Sequence, residues 1–131
     1  MESYKCSKIL RMLDGERTGE VFCSPNISVP TWDIMDAINV HFPDAHMVTD
    51  QIVKLAESSY TLLGFDSIRS GSDIGVEAHA LGAEVNMGGR ESFVYVTKPA
   101  FDDPEAFDVP SNLLELGRCP INFEAVSILK G

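Results

Sequence analysis

The stretch over residues 49–63 constrains the fold more than any other part of this chain. Its apolar side chains recur at helical spacing, at Ile52, Leu55, Ala56, Tyr60 and Leu63. That spacing predicts an amphipathic helix, and Gly64 directly after it is typical of a helix end. Residues 65–69 then form a short strand candidate. A helix, a glycine and a short strand in this order favour an α/β fold with a parallel sheet.

The rest of the chain predicts more helices, one more strand and a hairpin. Helices are predicted near the N-terminus up to Leu13, from Thr31 to Ile38, from Asp73 to Leu81 and from Pro120 onward. Residues 21–23 are a strand candidate, residues 84–96 a β-hairpin, and residues 98–117 mostly irregular with a short helix near Leu113. Two strands are too few for a closed barrel, which needs eight and roughly 250 residues. We therefore expect residues 1–131 to be a single, incomplete segment, or a chain that shares surface with a second one.

Charge and cysteine content narrow the classes of partner. The chain carries 20 acidic and 10 basic residues, a net charge of −10. That balance disfavours nucleic acids and anionic membrane surfaces as binding partners, because both are bound through clustered Lys and Arg. The three cysteines are widely spaced without a Cys-x-x-Cys pair, and no signal peptide is visible. These features predict a reducing, cytoplasmic location.

Several short motifs follow one another in an order that resembles a known family. They lie at residues 14–16, 43–46 (Pro-Asp-Ala-His), 60–64, 67–69, 82–88 and 117–120, with Glu124 and Ala125 after the last. In this order they resemble the uroporphyrinogen decarboxylase family. Within it they are most similar to the corrinoid-linked methyltransferases, such as methylcobamide:coenzyme M methyltransferase. The resemblance implies an α/β fold: the N-terminal portion of a TIM (β/α)₈ barrel of that type, with added N-terminal helices and a β-hairpin.

The resemblance also implies a reaction. Enzymes of this branch transfer a methyl group from a methylated corrinoid protein to a small thiol such as coenzyme M, and the complete enzymes use zinc and a corrinoid (cobamide). The zinc ligands, a His-x-Cys pair and a later Cys, belong to the C-terminal half. None of the three histidines here is followed two residues later by Cys. We therefore expect this chain to bind no cofactor and to be inactive alone.

Two other functions remain open at this stage. The chain can be a non-catalytic truncated homologue that acts as an interaction module, pairing with itself as a homo-oligomer or with a full barrel, because an unfinished sheet demands a partner. It can also be a uroporphyrinogen decarboxylase-like enzyme. That family holds its polycarboxylate substrate with arginines after the first strand, but no Lys or Arg lies between Arg17 and Lys54. The decarboxylase alternative is accordingly disfavoured.

Substrate-binding candidates come from the ends of the predicted strands, because function in a parallel barrel gathers at the carboxyl ends. The candidates are Ser24 and Asn26 after the first strand, and Arg69, Ser70 and Asp73 after the second. Arg69 suits an anionic group such as a sulfonate. Its structural alternative is an ion pair with Asp73 or Glu77.

His46 and Glu77 complete the set of candidates. His46 matches the histidine of the family's loop, where it can line the pocket or hold the loop by bonding to backbone groups. Glu77 lies on a predicted short helix, near the strand-end pocket or on a solvated face. No catalytic or metal-ligating residue is assigned from the sequence.

Overall fold

A computed structural model describes residues 2–25, 31–70, 73–103, 105 and 107–130, with side chains from residue 8 onward. Its elements in chain order are α1 (Glu2–Leu13), α2 (Trp32–Ile38), α3 (Thr49–Thr61), α4 (Val76–Ala80), β1 (Glu84–Asn86), β2 (Tyr95–Lys98) and α5 (Cys119–Lys130). Short 3₁₀ helices, Asp44–His46 and Leu113–Glu115, precede α3 and α5. The predicted helices are confirmed, except that α4 is shorter than expected. Among the described residues, no helix is long and apolar enough to cross a bilayer.

Helix α3 lies at the centre of the packing, as its amphipathic pattern predicts. Its buried face holds Ile52 and Leu55, and α2 and α5 pack against it. Ala125 of α5 is fully buried, and its small side chain permits close packing of α5. A core cluster of Met35, Val40, Ala45 and Leu55 joins α2 to the loop before α3.

The predicted hairpin is confirmed. β1 and β2 pair antiparallel, with Asn86 opposite Tyr95, and the register shifts next to Glu84. Gly88 is required in the turn because its φ is +72° and a Cβ there would lie 2.6 Å from the Ser92 carbonyl oxygen. The hairpin is the sheet that the described residues contain.

Residues 21–25 and 65–69 lie side by side, but the prediction of regular strands there is wrong. The Asp66 N–H donates to the Cys23 carbonyl at 2.8 Å, and the hydroxyls of Ser24 and Ser67 share a hydrogen bond. These contacts join residues 43 positions apart, the constant offset of a parallel pair. The ladder does not extend because the Asp66 carboxylate accepts the Cys23 N–H at 3.0 Å, where a strand would offer a backbone carbonyl.

Candidate substrate site around Asp73

The carboxylate of Asp73 joins three separate parts of the chain. Arg118 donates to it through both terminal nitrogens, at 2.5 Å to Oδ2 and 3.1 Å to Oδ1. His46 Nδ1 lies 3.2 Å from Oδ2, and the Gly75 N–H donates to Oδ1 at 2.7 Å. The side chains of Asp73, Arg118 and His46 are only 4%, 1% and 2% exposed. The three form a buried polar network in which every oxygen of Asp73 has a partner.

A glycine places Arg118 in this network. Gly117 has a φ of +56°, and a Cβ there would lie 2.8 Å from Ala80 Cα, so only glycine lets the chain pass α4 this closely. Arg118 follows and directly precedes α5. Its carbonyl accepts the Asn122 N–H at 3.2 Å and the Asn122 side-chain amide at 2.9 Å. Arg118 is thus fixed at its backbone by α5 and at its guanidinium by Asp73.

Local hydrogen bonds and stacking position the other two members. The bond from the Gly75 N–H to Asp73 closes an Asx turn ahead of α4. This turn explains why α4 begins at Val76 rather than at Asp73, where the sequence predicted it. The His46 ring stacks on Phe42, with centroids 4.1 Å apart and planes 5° apart.

The environment keeps Asp73 ionised. Burial alone would raise the pKa of Asp73, but hydrogen bonds from His46, Arg118 and Gly75, together with the charge of Arg118, outweigh burial. The pKa of Asp73 is therefore well below its ordinary value of 3.8. An ionised carboxylate only accepts hydrogen bonds, so Nδ1 of His46 must carry a proton where it faces Asp73.

Two small pockets meet at Asp73. The first encloses about 200 Å³ and is lined by Phe42, His46, Asp73, Ile74, Phe93 and Val94. The second encloses about 250 Å³, and its lining includes Asp73, Glu77, Cys119 and Asn122. The first has apolar walls with one imidazole and one carboxylate. It suits a small ligand with few polar groups.

The structure brings some of the predicted site residues together and separates others. Asp73 and His46 touch, and Glu77 is exposed on α4 at the rim of the second pocket. Both oxygens of Asp73 accept hydrogen bonds from Arg118, an ion pair that the sequence analysis did not predict.

The remaining candidates follow the two predicted strands in the sequence. Arg69 is exposed, and Ser24 bonds to Ser67. The Ser70 hydroxyl is buried without a hydrogen-bond partner among the described residues. Asn26 lies outside the described residues.

Sequence reasoning missed Arg118 as a site residue. The segment 117–120 entered only as part of a family motif. The available signal was a basic residue between a glycine and a Cys-Pro helix start. Such a residue stands out in a chain that has 10 Lys and Arg against 20 acidic residues.

A metal site does not emerge from the part of the chain that the structure describes. No three His, Cys, Asp or Glu side chains there lie close enough together to hold a metal ion. These residues therefore do not supply the three-ligand set expected of a protein zinc centre.

The order helix, glycine and parallel-aligned segment, with polar residues at the segment ends, resembles the first units of a TIM barrel. The backbone matches a solved methyltransferase from Methanosarcina mazei with a TM-score of 0.86 and 30% identity, over 94% of this chain and 37% of that one. The family model Uroporphyrinogen decarboxylase (URO-D) matches residues 5–131. The chain belongs to the uroporphyrinogen decarboxylase family, and the predicted family and fold are confirmed.

Curated relatives lie in the methyltransferase branch. A methylcobamide:CoM methyltransferase of Methanosarcina barkeri is 28% identical over 127 residues, covering 95% of this chain and 37% of the relative. A methylated-thiol–coenzyme M methyltransferase of Methanosarcina mazei is 32% identical over 100 residues, covering 76% of this chain and 27% of the relative. The chain thus spans about a third of the length of these relatives.

Proposed function

We propose that this chain is the N-terminal part of a corrinoid-dependent methyltransferase. The reaction is transfer of a methyl group from a methylated corrinoid protein to a small thiol such as coenzyme M, in the cytoplasm. The observation that carries the proposal is the match of 95% of the chain to a methylcobamide:CoM methyltransferase, together with a TM-score of 0.86 to a solved methyltransferase.

The described residues would form one wall of the thiol pocket. The apolar side chains of Phe42 and Val94 exclude water from the His46 and Asp73 groups between them. Arg69 would bind the anionic end of the thiol substrate through a charge-assisted hydrogen bond. By their places in the sequence after the two predicted strands, Ser24, Asn26 and Ser70 would supply further polar contacts, and Glu77 would supply one from the second pocket.

Zinc and the corrinoid would be held outside these residues. In a complete enzyme the zinc ion keeps the thiol as a thiolate nucleophile, and the corrinoid carries the methyl group. The role left for this chain is to bind and orient the thiol substrate.

A second candidate is a non-catalytic interaction module. Three large apolar side chains are almost fully exposed, Val21 at 96%, Ile74 at 91% and Phe93 at 82%. Ile74 and Phe93 line the same pocket, and adjoining exposed apolar side chains favour a surface that another protein covers. Catalytic barrel segments and interaction modules share this property, so activity has to distinguish them.

Decarboxylation of a porphyrinogen is the weaker alternative. A polycarboxylate needs several free cations, and none lies in the sequence between Arg17 and Lys54. Arg118 is buried and already neutralised by Asp73. A polycarboxylate would therefore meet few of the charges it requires.

A chimera tests the proposal. This chain would replace the matching third of the Methanosarcina barkeri relative, and methyl transfer from methylcobalamin to coenzyme M would be followed by absorbance and by loss of free thiol. We expect transfer, and we expect Arg69→Ala to raise KM for the thiol by about tenfold or more, as loss of a charged hydrogen bond predicts. Arg17→Ala, which removes the same charge at an exposed position, is the control.

The outcomes separate the candidates. A folded chimera without methyl transfer contradicts the proposal, and a chain that forms a stable dimer or binds a full barrel would then favour the interaction module. Turnover of uroporphyrinogen by the chimera would favour the decarboxylase. An Arg69→Ala chimera with unchanged KM would remove Arg69 from the thiol site.

A further inference from the structure

We propose that Arg118 is a positioning residue for His46. By binding both oxygens of Asp73, it fixes the carboxylate against Nδ1 of His46 and so sets the tautomer and orientation of the imidazole that lines the first pocket. The geometry stands independently of the reaction, and only the identity of the ligand rests on the proposed function.

The contact between Arg118 and Asp73 depends on a guanidinium. Its two nitrogens reach two different oxygens, at 2.5 and 3.1 Å, and the side chain is only 1% exposed. A planar fork holds a carboxylate in one orientation, whereas an ammonium attracts it as a point charge and leaves it free to rotate.

A purely structural ion pair explains the arrangement less well. Taking a guanidinium and a carboxylate out of water costs about as much as their attraction returns, so such a pair adds little net stability. What the ion pair does is fix the orientation of the carboxylate. That orientation matters for the first pocket, because Asp73 and His46 both line it. Oδ2, the oxygen that receives the shorter Arg118 bond, is also the one that faces His46 Nδ1.

The consequence for the pocket is chemical. A neutral imidazole that donates from Nδ1 has its acceptor at Nε2. The ring that lines the first pocket is therefore presented in one tautomer and one orientation. If the proposed function holds, Arg118 thereby affects how the thiol substrate is recognised without touching it.

Nitrogen NMR of the histidine rings tests the inference on the chain itself. In the wild type, the Nδ1–H tautomer of His46 should exceed the Nε2–H tautomer by about tenfold or more, because a charge-assisted hydrogen bond favours it. Arg118→Lys keeps the charge but not the fork, and Arg118→Met removes both, so each should lower that preference by several-fold. His41, which pairs with Asp36 on α2, is the internal control, and Arg17→Met controls for charge.

Each result decides the inference. A folded Arg118→Lys or Arg118→Met chain with the wild-type tautomer ratio at His46 overturns it, and Arg118→Lys alone is decisive if Arg118→Met does not fold. A changed tautomer without thiol binding by the chimera keeps this inference and contradicts the proposed function. If the chimera binds the thiol but the Arg118 variants keep the wild-type tautomer ratio at His46, this inference is overturned and the proposed function stands.

Discussion

Replacing Asp73 with asparagine should destabilise the chain strongly at neutral pH. The change keeps the shape of the side chain but leaves the guanidinium of Arg118, only 1% exposed, without its counter-charge. Breaking a buried pair from one side costs about 3–5 kcal/mol of unfolding free energy. That is a large share of the ~5–15 kcal/mol that stabilises a typical domain.

The free energy of unfolding of the same variant should also depend less on pH in the acidic range than that of the wild type. The pKa of Asp73 is lower in the folded chain than its ordinary value of 3.8. The stabilisation from the ionised carboxylate is therefore complete above pH 3.8 and declines as the pH falls toward the folded value. Within that acidic window the wild type should lose about 1.4 kcal/mol per pH unit more than Asp73→Asn, because it takes up one more proton on unfolding.

Urea unfolding followed by circular dichroism measures both effects. Wild type, Asp73→Asn and the exposed control Asp108→Asn would be compared at pH 7 and at several values below pH 3.8. We expect the control to stay within ~0.5 kcal/mol of wild type. Equal stability of Asp73→Asn and wild type at pH 7, with parallel acid dependence, would refute the buried network.

Three further tests, two of them with a matched control substitution, examine the packing. Gly117→Ala should lower the free energy of unfolding by more than 2 kcal/mol, because a Cβ there would lie 2.8 Å from backbone. Gly64→Ala should lower it by only ~1–2 kcal/mol, the cost of a positive φ, because a Cβ there meets nothing within 4 Å. Urea unfolding of both variants separates the steric clash from the backbone strain. Ala125→Leu should lower the free energy of unfolding by about 1–3 kcal/mol, because it overpacks α5 at a fully buried position. Val126→Leu, at an exposed position of the same helix, should change it very little in the same assay. Trp32→Phe removes the 2.9 Å hydrogen bond from the indole to the hairpin turn and should lower the thermal midpoint by a few degrees, as a loss of ~1 kcal/mol predicts; an unchanged midpoint would contradict it.

Local patterns predicted the helices and the hairpin well. Residues 49–61 form a helix because their apolar spacing and the following Gly64 agree, and the turn at Gly88 follows from two adjacent glycines. The sequence could not show that residues 21–25 and 65–69 lie side by side without forming regular strands. A parallel strand is defined by neighbours far away in sequence, and a side chain, that of Asp66, takes the place of a backbone partner here.

The candidate site divides in the same way. Asp73 was expected from its place after a strand, and His46 from a motif. The contact of Asp73 with Arg118 spans 45 positions in sequence, so nothing local to either residue announces it. The last helix was predicted from Pro120 and begins one residue earlier, at Cys119, but which way the preceding arginine points depends on the close approach of Gly117 to α4.

The most direct test of the proposed site is hydrogen exchange of the chimera with and without coenzyme M. If the strand ends form the thiol pocket, coenzyme M should slow exchange in residues 66–75 and around His46, with α1 unchanged. Protection confined to the part contributed by the relative, with no change in residues 66–75 or at His46, would contradict a role for this chain in binding the thiol.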